Sequence, residues 1–190
     1  MHFTITSTQN PKIKNLLALE NPRERRMQGL FVVEGRKEIG MAMDAGYKIG
    51  NLFFCEELIS PEEMQELQPS DKTLIPVSRE VFEKIAIREN SGGVLAIGEQ
   101  KVHPLDTIRL GKNPLVLVLE SVEKPGNLGA ILRTADAAGL DAVIICDPKT
   151  DFYNPNVIRS SVGCLFTNQV ASATSEETLA WLGSNGIIPY

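Results

Sequence analysis

Short continuous apolar runs alternate along this chain with longer amphipathic stretches, and their order predicts strands interleaved with helices. Runs at 30–33, 52–55, 73–77, 94–97, 115–119 and 142–146 predict strands, with a further one at 168–170. Helical spacing fills the intervals 11–20, 36–45, 79–86, 128–138, 156–162 and 175–182, and Ser60-Pro61-Glu62-Glu63 opens another helix with a capping serine and proline in its first turn. The arginine-rich stretch that follows the first helix reads as a loop. Such alternation predicts an α/β protein: a compact three-layer α/β unit over 1–100, then a second α/β unit over 115–190 whose parallel strands are joined by helical crossovers. Between them, 101–114 holds His103, Pro104, Gly111, Asn113 and Pro114 with few core residues, which predicts a linker.

The junction of the run at 115–119 with the helix after it carries the most chemistry. The run is short and wholly apolar, as a strand covered on both faces would be, and Pro125 with Gly126 stops it. Asn127 sits where an N-cap belongs, Leu128, Ile131, Leu132, Ala135 and Ala138 form a buried stripe, and Gly139 closes the helix. Arg133 falls off that stripe, one turn beyond Gly129 and two turns beyond Gly126, so its guanidinium can reach along a groove cleared of side chains. Free N–H groups, the helix dipole and a permanent positive charge would favour a phosphate there. The residues alone leave a second reading open, in which Asn127 only caps, the glycines only turn and Arg133 pairs with Glu120 or Asp136.

Composition narrows the class. A chain of 190 residues, 43% hydrophobic, can bury the core of one large domain or two small ones. Its apolar runs fall far short of a membrane span and its N-terminus has no basic-then-apolar signal, so a cytoplasmic protein away from membranes is expected. Cys55, Cys146 and Cys164 are odd in number and lie in apolar segments, which suits reduced core thiols. His2 and His103 offer no metal cluster and no Ser-His-acid triad, and no G-x-G-x-x-G or Walker loop is present. The net charge of −5 is unevenly spread: residues 11–37 hold seven cations (Lys12, Lys14, Arg23, Arg25, Arg26, Arg36, Lys37) against three carboxylates, a local +4 that leaves −9 elsewhere. A basic arm on an acidic body suits selective contact with a phosphate backbone, and Arg23, Arg25 and Arg26 are its candidate contacts.

The run Pro125-Gly126-Asn127-Leu128-Gly129-Ala130-Ile131-Leu132-Arg133-Thr134-Ala135 resembles the first signature motif of the SpoU (TrmH) family of RNA 2′-O-ribose methyltransferases. The likeness continues through 142–146 and through Tyr153-Asn154-Pro155-Asn156-Val157-Ile158-Arg159-Ser160-Ser161-Val162-Gly163, while Phe31-Val32-Val33-Glu34-Gly35 resembles the start of the family's RNA-binding domain. It implies an N-terminal RNA-binding module, a C-terminal parallel-sheet domain of the trefoil-knot methyltransferase type, S-adenosylmethionine as methyl donor, tRNA or rRNA as substrate, a homodimer as working unit and no catalytic metal. It also implies catalytic roles for Arg133 and Asn127, and RNA contacts for Gly126, Gly129, Arg159 and Ser161. An arginine in this position acts by charge, clamping a phosphate and stabilising a developing alkoxide, because a guanidinium stays protonated at working pH. Glu120 and Lys124 stand where the motif commonly has aspartates. The family's two later motifs are expected beyond Tyr190, before the knot is complete, so the cofactor residues are expected there too, and this chain by itself is expected to hold the cofactor weakly or not at all and to be inactive; a non-catalytic RNA-binding protein or remnant is the alternative.

Overall fold

The computed structural model describes residues 4–67, 73–88 and 92–190. It divides into two compact units, Met1–Gln100 with Tyr153–Pro155, and Lys101–Phe152 with Asn156–Tyr190.

In the first unit, Pro11–Ala18 (α1) and Pro22–Gln28 (α2) each carry proline in the first turn, and Asn10 and Asn21 cap them by accepting the amides of Lys12 and Arg23. The second of these helices replaces the arginine-rich loop read from sequence: Asn21-Pro22 starts a helix and Gly29, at φ 65°, ends it. Leu30–Glu34 (β1), Arg36–Asp44 (α3), Ile49–Phe54 (β2), Pro61–Glu66 (α4), Thr73–Pro76 (β3), Arg79–Ile85 (α5) and Val94–Glu99 (β4) follow. Ser60 and Glu63 form a reciprocal capping box at the start of α4. The sheet runs β1-β4-β2-β3, with β4 antiparallel to both neighbours and β2 parallel to β3. Its core gathers Ile13, Leu16, Phe53, Phe82 and Leu95, so the amphipathic faces of α1 and α5 lie against the strands. Tyr153 belongs to this unit through its ring, which stacks on Phe31 with centroids 4.9 Å apart.

The second unit opens with the segment expected to be a linker. It is instead core: Ile108, just past a 3-10 turn at Leu105–Thr107, is buried with Ala142, Ile144, Cys146 and Ala171, and Leu105 and Leu110 pack beside it. Pro104 precedes the 3-10 turn and the chain bends at Lys112 and Asn113, and the three aliphatic residues Leu105, Ile108 and Leu110 are too few to show a helix or strand period. The unit continues as Val116–Glu120 (β5), Pro125–Ala138 (α6), Ala142–Cys146 (β6), Pro155–Ser161 (α7), Cys164–Thr167 (α8), Val170–Ala173 (β7) and Ser175–Ser184 (α9). β5, β6 and β7 form the expected parallel sheet in that order. Every residue of β6, the middle strand, is buried. β5 departs from the expectation of cover on both faces, since among the described residues it pairs only with β6 and Val118 is 39% exposed. No helix among the described residues is long and apolar enough to cross a membrane.

Candidate functional site

The helix α6 starts three residues earlier than its sequence pattern suggests. Pro125 occupies its first position, where its fixed φ suits the helix and no N–H is wasted, so Lys124 becomes the N-cap residue and Asn127 falls in the first turn. Asn127 is exposed and its side chain makes no hydrogen bond, so it caps nothing. Leu128, Gly129, Leu132 and Ala135 are buried, whereas Ile131 and Ala138 stand aside and line an apolar cleft of about 250 Å³ with Leu117, Ala130, Thr134, Ala135 and Leu140. Gly139, at φ 67°, ends the helix as expected.

Gly129 is where α7 crosses. A β-carbon there would run into the Ser160 hydroxyl and would come 2.7 Å from both the Ser161 amide and the Val157 carbonyl. Its role is therefore close packing of helix on helix, not RNA contact. Ser161 is corrected in the same way: it is 0% exposed, its hydroxyl donates to the Ile158 carbonyl at 2.9 Å and accepts the Leu165 amide at 3.4 Å. Val162 follows with φ 53°, a conformation that a β-branched residue takes only under constraint, and it turns the chain from α7 into α8.

Close approach at Gly129 sets α7 beside the amino end of α6 and leaves a polar cleft of about 370 Å³ between Pro125, Gly126, Asn156, Arg159 and Ser160. Gly126 and Arg159 meet there. Asn156 joins them from three residues before Arg159 and four before Ser160, spacings that place side chains on one face of α7. Pro125 brings no N–H and the Asn127 amide donates to the Lys124 carbonyl at 3.0 Å, so the first turn of α6 offers the cleft the Gly126 amide and the positive end of the helix dipole, beside the exposed guanidinium of Arg159. Arg133 is exposed two turns along α6 from Gly126 on the same face, and makes no hydrogen bond or ion pair with any described residue. Pairing with Glu120 or Asp136 is thereby excluded as its role. Asn127 and Arg133 are not brought together, because six residues of helix leave them about 120° apart around the axis.

The basic arm is smaller than its sequence. Arg25 is 0% exposed, and its Nη1 donates to the carbonyls of Leu19 and Glu20 at 2.7 and 2.8 Å, where α1 ends. It ties the chain after α1 to α2, and the expectation that it contacts RNA is withdrawn. Arg36 is held by Glu63 at 3.3 Å and Glu66 at 3.0 Å. Lys12, Lys14, Arg23, Arg26 and Lys37 are exposed, and none of them pairs with a carboxylate among the described residues. The three cysteines are buried thiols that form no disulfide with one another, and no group of side chains suited to a metal occurs among the described residues; His2 lies outside them.

Comparison with known proteins decides the family. Residues 10–96 match the MRM3-like substrate binding domain and residues 114–190 match the SpoU rRNA Methylase family. A solved RNA 2′-O ribose methyltransferase superposes with a TM-score of 0.83 at 38% identity, over 97% of this chain and 70% of that one. The chain belongs to the SpoU family. An AdoMet-bound rRNA methyltransferase from Sinorhizobium meliloti superposes with a TM-score of 0.85 at 30% identity, over 96% of this chain and 69% of that one. An uncharacterized tRNA/rRNA methyltransferase of Synechocystis is 35% identical over 84% of this chain, which spans 58% of that relative's length. SpoU membership accounts for the mixed first unit followed by a parallel-sheet unit whose first crossover carries the glycines and arginine of α6.

Proposed function

We propose that this SpoU protein transfers a methyl group to a ribose 2′-hydroxyl of RNA, with tRNA or rRNA as substrate and S-adenosylmethionine as donor. The observation that supports it most is Arg133: an exposed guanidinium, without a partner, on the same face of α6 as the cleft of Gly126 and Arg159. Methyl transfer to a hydroxyl forms a carbon–oxygen bond as the donor's carbon–sulfur bond breaks, and the hydroxyl proton leaves to solvent or a base. A fixed positive charge beside that oxygen lowers the cost of its developing negative charge, and the same charge on the adjacent phosphate aligns the nucleotide. Arg133 is assigned that role, with Arg159 and the amino end of α6 as phosphate contacts, Asn127 as a neighbouring polar contact for the ribose, and Arg23 and Arg26 with Lys12, Lys14 and Lys37 as the electrostatic footprint of the first unit.

Neither cleft described above fits the donor. The apolar one offers the Thr134 hydroxyl and no charged side chain to a molecule that bears an ammonium, a carboxylate and a ribose; the polar one is open and holds a single cation. The polar cleft is accordingly assigned to the substrate side of the reaction, and no step is assigned through the donor. A homodimeric working unit is proposed on the family resemblance, and a cytoplasmic location on the buried thiols, which suit a reducing compartment.

Incubation with methyl-labelled S-adenosylmethionine and total RNA, followed by digestion to nucleosides, tests the reading. Label in ribose-methylated nucleosides is expected. Label confined to bases, or RNA bound without any label transferred by the chain or by a longer form containing it, would replace the proposal with base methylation or a non-catalytic RNA-binding role.

A further inference from the structure

Asp136 is the one acidic residue of α6 and stands three positions beyond Arg133, where a carboxylate and a guanidinium meet across a helix turn. They do not meet. Asp136 Oδ1 instead accepts a hydrogen bond from the Thr167 hydroxyl at 2.7 Å, from the end of α8. The side chain of Asn168 anchors that end to the same turn of α6, its Nδ2 donating to the Leu132 carbonyl at 3.1 Å and the Cys164 carbonyl at 2.6 Å. Two adjacent residues thus grip α6 on either side of Arg133 in sequence, at Leu132 and at Asp136.

We propose that Thr167 is a positioning residue for Arg133: by holding Asp136 toward α8 it withdraws the only local counter-charge on the helix and keeps the guanidinium uncompensated. The step from an uncompensated Arg133 to RNA binding rests on the function proposed above; the restraint of Asp136 does not. A threonine suits the task because its hydroxyl donates to a carboxylate while its methyl occupies the space that valine would fill. Without the donor, Asp136 is released to Arg133, and an exposed pair at this spacing is favoured by about a factor of two in equilibrium constant.

The test compares the unmodified chain with Thr167→Val, Thr167→Ser and the double variant Thr167→Val/Asp136→Asn. Two readouts are taken: the side-chain Nε–Hε resonance of Arg133 by NMR, and affinity for a short single-stranded oligouridylate at low salt by fluorescence anisotropy. Thr167→Val should move the resonance toward its ion-paired position and weaken RNA binding by about twofold. Thr167→Ser should restore both, and so should Asp136→Asn in the valine background, because the competitor has been removed. A purely structural Thr167 would leave the double variant as defective as the single one; that result, or an Arg133 resonance indifferent to Thr167→Val, overturns the proposal. A resonance that behaves as expected while affinity stays constant throughout supports the restraint of Asp136 and counts against Arg133 as an RNA contact.

Discussion

Arg25 lies among cations at 23, 25 and 26, yet its guanidinium ends on two backbone carbonyls inside the first unit while its neighbours face solvent. Charge alone does not distinguish the three. Their places on α2 do, since the helix turns Arg25 inward and Arg23 and Arg26 outward, and once this stretch is read as a loop no phase remains to separate them. Arg25→Ala should therefore destabilise the first unit by on the order of 3 kcal/mol, as a buried side chain and two charge-assisted hydrogen bonds are lost and carbonyls are stranded. Arg23→Ala and Arg26→Ala should each stay within about 0.5 kcal/mol. Urea denaturation monitored by circular dichroism measures all three, and equal effects would refute the assignment. Gly129 and Ser161 teach the same lesson about the motif residues: only packing shows that Gly129 is there to let α7 lie on α6 and that the Ser161 hydroxyl is used up between Ile158 of α7 and Leu165 of α8.

At the scale of elements, the parallel strands and most helices were legible because capping residues and apolar runs agree, as at Ser60-Pro61 and along β6. Where signals compete the boundary moves: Pro125 pre-empts Asn127 as the start of α6, and the four-residue α8 is too short to show a period. The stretch 101–114 misleads for another reason, since its attachment depends on isolated contacts. One of these is His103, whose ring packs edge-on against Phe152 with centroids 5.3 Å apart and whose Nδ1 lies 3.1 Å from the Val170 carbonyl. Burial lowers the pKa of His103 from its ordinary value of 6.5, against a smaller raising effect of the hydrogen bond to Val170, with Lys101 also lowering it. The folded chain thus binds this proton less readily than the unfolded chain, so the stability contributed by neutral His103 is complete above about pH 6.5 and is lost as pH falls below it. Thermal melts between pH 7.5 and 5 should show a loss of stability that His103→Gln reduces; an identical pH dependence in the variant would contradict the burial of the ring.

For the whole molecule, the proposed function divides contact with RNA between two units that each hold their own sheet: dispersed cations on the first, and on the second a helix terminus with two exposed arginines. Under that proposal the chain's net charge of −5 disfavours general polyanion binding and leaves contact to the exposed cations. This division was readable from the alternation of strands and helices, and the arginine of α6 from its phase relative to the buried stripe. The polar cleft was not, because Gly126 and Arg159 are far apart in sequence and meet only after Gly129 admits α7. The measurement that bears most directly on the account is single-turnover methyl transfer to RNA by a catalytically competent form carrying Arg133→Ala. Turnover should fall by about 10²- to 10³-fold with an unchanged thermal melt, the loss expected when one fixed charge is taken from a developing oxyanion. Turnover equal to that of the parent protein would show that the guanidinium of α6 takes no part in the reaction.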